Sequence, residues 1–209
     1  KPGFSRGHYS PYANGQLAAV FPDHDPQRIL AVLILSQHPR PEDVLVIGSA
    51  HGGLAKHLLR YRISRLTTVE IDSGLADMIT SRLGAGDRAA LRDPRLRMRN
   101  MDGRRFVLLA AGAETGRQRR FDLVYIHQPD AWTAQLNRYY TREFFLDLKR
   151  ILRPGGVVAL RLSASENAAA GITSPYTAGV FHTLQSVFPC IAVSPGPTST
   201  FFASEAGAS

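Results

Sequence analysis

The first residues whose types and spacing could do chemistry are three glycines and a pair of carboxylates. Gly48, Gly52 and Gly53 punctuate the stretch VLVIGSAHGGLAKHLL at 44–59, and Glu70 and Asp72 close a second apolar run, TTVEIDSG at 67–74. Glycines let backbone approach a ligand closely, and the helix that follows such a turn offers unpaired N–H groups. An acidic residue at the end of the next strand, about twenty residues further on, suits a ribose with two free hydroxyls. The G-x-G-x-x-G pattern is absent, because Ser49 and Ala50 stand where a dinucleotide fold would want its first glycines. A loose glycine turn alone says little. A glycine turn followed at this spacing by an acidic strand end points to a doubly wound nucleoside-binding fold.

The elements that must position these residues can be read from periodicity. Val44 to Ile47 form a continuous apolar run, which suits a strand buried on both faces. Leu54, Leu58 and Leu59 then share one face of a helix. Upstream, residues 1–25 read as a short β-element, with a tight-turn signal at Asn14-Gly15. Asp25-Pro26 opens a helix over 27–37 that is apolar nearly all round and is therefore expected to be buried; Pro39 and Pro41 end it. Downstream, the spacing predicts a helix at 72–84, capped by Asp72 or Ser73 and closed by Gly84. A loop is expected at 84–94, a third strand in 95–106 ending near Asp102, and a helix from 104 to 113. The fourth strand and its exit loop fall at 121–130, and a helix at 141–156 stops on Pro154-Gly155-Gly156. A fifth strand at 156–162, a loop at 163–175 and a last helix at 176–189 follow. IAVSP at 191–195 and TSTFFAS at 198–204 form a closing antiparallel pair. Alternating strands and helices predict a mostly parallel sheet. The expected organisation is a short N-terminal β-element, 1–25, before a single α/β domain, 26–209.

Composition bounds the function classes. With 209 residues, 44% hydrophobic and 20% charged, the chain can bury one sizeable core. No uninterrupted apolar stretch of about 18 residues exists, so no transmembrane segment is expected. The sequence begins at Lys1, which suggests a processed product or a piece of something longer. Cys190 is the sole cysteine, so there is no internal disulfide and no cysteine-cluster metal site. The compartment is left open between soluble, cytoplasmic and membrane-associated. The net charge of +8 comes from arginine clusters at 60–65, 92–99 and 117–120. That charge suits an anionic partner such as nucleic acid or a lipid surface. A solvated arginine-rich surface accounts for it more simply, because no aromatic-rich nucleic-acid motif accompanies it.

With these residues in view, the chain resembles the spermidine/spermine synthase family (polyamine aminopropyltransferases), and within it the bacterial branch often fused to membrane segments. The resemblance runs from Tyr12 to Ala203. NGQLAAVFPD at 14–23, QHPRPEDVLVIGSAHGG at 37–53, VEID at 69–72 and TAQLNRYYTREFF at 133–145 carry it. The implied fold is a doubly wound, mostly parallel sheet of the S-adenosylmethionine-dependent methyltransferase (Rossmann-like) type with a closing antiparallel hairpin. The implied ligands are S-adenosylmethionine, its decarboxylated form or methylthioadenosine. Family members are usually oligomeric through β-structure upstream of the NG turn, which makes a homo-oligomer an expectation as well.

The resemblance implies roles residue by residue. Family chemistry joins a sulfonium donor to a polyamine acceptor, both cationic, so the site must be acidic and one carboxylate must take the proton from the attacking nitrogen. Gly48, Gly52 and Gly53 keep the family's turn. Glu70 stands where the family binds ribose, and Asp102 where a family aspartate contacts the adenine edge. His51 takes the place of an aspartate that holds the aminopropyl amine. Arg28 and Ile29 occupy the register of a histidine and an acidic residue near the acceptor, and Ala18 replaces a glutamine. His127 falls where the family has its base aspartate, while Asp130 keeps the second aspartate of that loop. Histidine can act as a base, since its ordinary pKa lies near neutrality. Protonated His51 and His127 would nevertheless repel a cationic substrate. Blander readings compete throughout: Glu70 as a solvated strand-end carboxylate, Asp102 as a turn former before Gly103, and His51 and His127 as loop residues. Thr141 is expected to cap a helix, and Arg138 to pair with an acidic neighbour.

The expectation is a spermidine synthase-like domain that has lost aminopropyl transfer and serves as a binding or scaffold subunit, its partner a protein such as a membrane protein or complex. The alternatives are an active S-adenosylmethionine-type transferase using His127 and Asp130, and a basic module for nucleic acid or anionic lipid.

Overall fold

In the computed structural model the described residues are 12–13, 16–17, 24–48, 53–112, 118–128, 130–131, 133–163, 175–196 and 198–205. Two short strands, β1 (Tyr12–Ala13) and β2 (Gln16–Leu17), pair antiparallel with Ala13 opposite Gln16; Asn14 and Gly15, the expected turn, lie outside the described residues. Helix α1 (His24–Leu35) leads to β3 (Asp43–Ile47), α2 (Leu54–Leu58), β4 (Arg65–Glu70), α3 (Ser73–Arg82) and α4 (Ala85–Leu91). Next come β5 (Leu96–Asn100), α5 (Gly103–Ala110), β6 (Phe121–Ile126), α6 (Ala134–Asn137) and α7 (Arg142–Ile151). β7 (Leu152–Ser163), α8 (Pro175–Gln185), β8 (Cys190–Ser194) and β9 (Thr198–Ser204) complete the order.

The large sheet has seven strands in the order β5-β4-β3-β6-β7-β9-β8. β5, β4, β3, β6 and β7 run parallel, and β9 runs antiparallel to both β7 and β8. The expected closing hairpin is therefore present. Both faces of the sheet are covered, which is why β3 reads as an unbroken apolar run. Val44 and Val46 pack with Leu30 and Ile34 of α1 and Leu54 and Leu58 of α2, whereas Leu45 and Ile47 pack with Phe106 of α5, Phe144 and Leu148 of α7 and Leu184 of α8. All four β3 side chains are fully buried, each worth about 1.5–3 kcal/mol relative to exposure.

The structure corrects the sequence reading in several places. Residues 85–91, within the expected loop, are helical. Gly84 is the N-cap instead of the end of α3, and Asp87 in the first turn both suits the helix dipole and pairs with Lys56 of α2 at 3.3 Å. Helix α1 is not buried all round: Leu30, Ala31, Ile34 and Leu35 face the sheet, while Ile29 and Val32 are 62% and 46% exposed. Apolar composition did not reveal that, among the described residues, only one side of α1 has a neighbour. The third strand ends at Asn100, two residues short of Asp102, because Asp102 belongs to the next helix as its N-cap. The short helix α6, capped by Thr133 accepting from the Leu136 amide at 3.2 Å, was not anticipated. Thr141 caps α7 as expected, accepting from the Phe144 amide at 3.3 Å.

At the amino-terminal end of the sheet, Pro154-Gly155-Gly156 lies within β7 and does not stop the helix, which already ends at Ile151. The pairing of Phe121 with Leu152 resumes at Leu123 with Val157, so the intervening residues bulge and Arg153 is re-aimed. Its guanidinium donates to Asp122 Oδ2 at 2.8 Å and to Asp43 Oδ2 at 2.6 Å. The same Asp122 oxygen accepts from the backbone amides of Glu42 at 2.8 Å and Asp43 at 2.7 Å. The network ties β3, β6 and β7 together. Burial pushes the Asp122 carboxyl up, but the two amides and Arg153 outweigh it and hold it below the ordinary range.

A carboxylate whose folded pKa lies below its unfolded one stabilises the fold above the unfolded value, and that stabilisation is lost as pH falls through the folded value. Asp122→Asn is expected to lower the unfolding free energy by about 2 kcal/mol at neutral pH. In urea unfolding repeated at descending pH, the gap to the wild type should close in the acid range; a gap that stays constant with pH would contradict this account of the network.

Candidate functional site

Four adjacent strands end on a common rim, and the hydrogen-bond ladder continues just past their ends. The Gly48 amide donates to Val69 O at 2.8 Å, the Met101 amide to Glu70 O at 3.0 Å, and the His127 amide to Ile47 O at 2.7 Å. One step further, the Ser163 amide at the end of β7 donates to the Asp130 carboxylate at 3.2 Å. Asp102, Glu70, Gly48, His127 and Asp130 thus follow one another along the carboxyl ends of β5, β4, β3, β6 and β7. The chain leaves β3 toward β4 on one side, and β6 lies on the other. That is the topological switch point where open α/β sheets bind ligands.

Gly48 makes the junction possible. Its φ is +110°, and a β-carbon there would lie 2.0 Å from the His127 carbonyl oxygen. Gly53, at φ +118°, turns the chain into α2. His51 and Gly52, between them, lie outside the described residues.

The three carboxylates of the rim have different surroundings. Glu70 is half-buried and accepts from the Asp72 amide at 2.9 Å. Burial pushes its carboxyl above the ordinary 4.5; the amides of Asp72 and Ile71 oppose the shift and the Asp72 charge adds to it. It borders a cavity of about 350 Å³ between the β4–β5 ends and helices α3 and α4. Asp102 caps α5, accepting from the Arg105 amide at 3.0 Å, and its other oxygen takes Arg138 and, at 3.5 Å, the Tyr139 hydroxyl. Its bland role is therefore a helix cap and not a turn, and Arg138 has found the acidic neighbour expected of it. Gly103 lets this cap approach β3, since a β-carbon there would meet Ile47 at 2.4 Å. Asp130 is buried, and both of its oxygens share the Ser163 amide. Its loop is pinned by the Ala131 amide donating to the Tyr176 hydroxyl at 2.9 Å and the Tyr140 hydroxyl donating to Gln128 O at 3.2 Å. Burial, with the Ala131 amide opposing and the Asp130 charge adding, raises Tyr176 to about 12.

His127 and Asp130 share a smaller pocket of about 190 Å³ with Tyr125, Gln128, Arg161 and Thr198. The imidazole stacks on the Tyr125 ring at 5.4 Å and 28°. Arg161 is the participant that sequence reading missed. A signal existed: it is the lone charge within VVALRL at 157–162. His57 of α2 is buried, with 4% exposure.

A mostly parallel sheet closed by an antiparallel strand defines the Rossmann-like, methyltransferase-type class of fold. The chain belongs to the spermine/spermidine synthase domain family, whose model matches residues 24–193. It is 33% identical over 153 residues to a polyamine aminopropyltransferase of Nitrosomonas europaea, covering 72% of this chain and 43% of that protein. It is 31% identical over 133 residues to one from Pyrobaculum aerophilum, covering 63% and 44%. The chain therefore spans less than half the length of these relatives. A spermidine synthase solved in complex with the transition state analogue AdoDATO shares the fold at TM-score 0.70 and 21% identity, over 87% of this chain and 60% of that one. Human methyltransferase-like protein 13, solved in complex with SAH, does so at TM-score 0.67 and 19% identity, over 85% and 81%. Among the described residues no helix is long and apolar enough to cross a membrane.

Two outcomes follow from the rim geometry. Gly48→Ala should cost about 3 kcal/mol, because the backbone is strained and the new methyl meets a carbonyl that β6 cannot withdraw; a melting temperature equal to wild type would refute the close approach. For Glu70 the sign runs opposite to Asp122. A raised folded pKa means stability is complete below the unfolded value of 4.5 and is lost as pH rises through the folded one. Glu70→Gln should therefore melt above wild type at neutral pH and level with it in acid, as thermal scans across pH would record.

Proposed function

We propose that this chain binds an adenosine-derived nucleoside along its rim, no longer transfers an aminopropyl group, and acts as a binding subunit. The observation that carries the second part is the lining of the small pocket: His127 and Arg161 stand there, and its carboxylate, Asp130, turns to the Ser163 amide. Joining a sulfonium to an amine needs negative charge around both and a base for the departing proton. A guanidinium in the pocket opposes both requirements.

Nucleoside binding is supported by Gly48 and Glu70 at the switch point, and by Asp102 beside them. In this reading Glu70 takes the ribose hydroxyls, and the raised pKa of its carboxyl marks a group held for a ligand at some expense to stability. The two structural neighbours solved with AdoDATO and SAH support an adenosine-derived ligand class.

A second reading, an active transferase of altered chemistry, draws support from Asp130, which is buried and lines the same pocket as His127. Turnover that survives both His127→Ala and Asp130→Ala would eliminate it.

The test is isothermal titration with S-adenosylmethionine, its decarboxylated form and methylthioadenosine, together with an assay of aminopropyl transfer to putrescine. Expected are saturable binding of at least one nucleoside, weakened about tenfold or more by Glu70→Ala, and transfer at background. Transfer well above background would overturn the loss of activity. Failure of every nucleoside to bind would overturn the rim as a ligand site.

A further inference from the structure

We propose that the pocket beside His127 is an anion site in which Arg161 holds a carboxylate group of the ligand. The proposal deepens the function above and rests on its claim that this pocket does not receive a cationic amine. The carboxylate has two sources, the amino-acid tail of an adenosine-derived ligand or a separate small carboxylic acid.

Arg161 is out of pattern on β7. Its neighbours Leu160 and Leu162 are buried in the core on one face, and Val157 and Ala159 are buried on the other, which alternation assigns to Arg161 as well. The side chain reaches past that apolar layer into the pocket at the rim. Its Nε is buried and has no hydrogen-bond acceptor, and among the described residues it forms no ion pair. A half-buried guanidinium held in no ion pair is costly, and an arriving anion lowers that cost.

Among the described residues, none of the groups around it forms an ion pair with it. The Tyr125 hydroxyl, fully buried, faces Arg161; burial raises the phenol far above its ordinary range against the opposing pull of Arg161, so it stays protonated. It can donate to an anion but cannot stand in for one. Among the described residues Asp130 is the one carboxylate lining the pocket; its oxygens share the Ser163 amide at 3.2 Å, and no ion pair joins it to Arg161. Gln128 and Thr198 add neutral polar groups. Within a pocket of about 190 Å³ that Asp130 and His127 also line, the planar guanidinium, protonated phenol, amide and hydroxyl supply the donors that a carboxylate accepts from. An ammonium in the same space would meet Arg161 at short range and low dielectric, where like charges repel most strongly.

The experiment uses the whole chain in low-chloride buffer and two pairs of probes. S-adenosylhomocysteine is compared with methylthioadenosine, and acetate with acetamide. In at least one pair the carboxylate should bind about tenfold or more tightly than its counterpart. Arg161→Gln should erase that preference, and Arg161→Lys should restore part of it. A preference in the nucleoside pair assigns the carboxylate to the nucleoside tail, and one confined to acetate assigns it to a separate acid. Equal behaviour within both pairs in the wild-type protein overturns the inference, whether or not the variants fold, and so does a preference that persists in Arg161→Gln. Methylthioadenosine binding without any carboxylate preference leaves the nucleoside reading standing and removes this one. Acetate binding that needs Arg161, without any nucleoside binding, does the reverse.

Discussion

The rim of this sheet depends on a backbone contact too close to admit a methyl group. Between Gly48 and the His127 carbonyl there is room for hydrogen and nothing larger. Because Gly48 fits there, β3 and β6 can run side by side to their last residues and still turn apart. The amide bonds from Gly48 to β4 and from His127 to β3 hold both exits in place. Glu70, Asp102 and Asp130 owe their alignment to that junction, since each hangs from the end of a strand or the loop next to it. A larger residue at position 48 would push apart the strands whose ends form the crevice.

The parts of this arrangement legible in the sequence are those enforced by simple exclusion. A strand buried on both faces must be apolar throughout, so Val44 to Ile47 declared themselves. A chain passing through a left-handed conformation favours glycine, so Gly48 and Gly53 did too. The closing strands were visible because Gly196-Pro197 separates two short strand-like runs. The illegible parts depend on what a residue happens to face. Gly84 and Gly86 look like breakers, yet an ion pair from Lys56 to Asp87 and a run of alanines make that segment helical. Ile29 and Val32 look like core and lie in solvent. Arg153, Asp122 and Asp43 are far apart in sequence, and no local pattern announces that a bulge will bring them together.

The candidate site divides along the same line. Glu70 could be placed on a strand end and Asp102 near one from spacing and resemblance. Their surroundings could not: Asp102 is engaged by a helix amide and Arg138, and Glu70 carries the strain of partial burial. Arg161 went unnoticed because a single charge in a strand reads as an edge or a solvent-facing position. Only the sheet order shows it between β6 and β9, in the interior of the sheet, with its head at the rim. That placement turns a family resemblance into a question about charge: the overall architecture is shared with polyamine-making relatives, while the pocket presents a cation.

The Arg153 network and the rim sit at opposite ends of the same strands, roughly 15–20 Å apart for strands of this length. Side chains at the two ends therefore answer to different selective pressures. Those at the amino end are constrained together by mutual contact and drift only in concert. Those at the carboxyl end hang from backbone positions fixed by Gly48, and the contact that fixes position 127 is made by its carbonyl oxygen, an atom every amino acid supplies. The side chain at position 127 can thus change while the chain folds as before. A recognisable ancestry and an altered chemistry are then compatible outcomes of one architectural division.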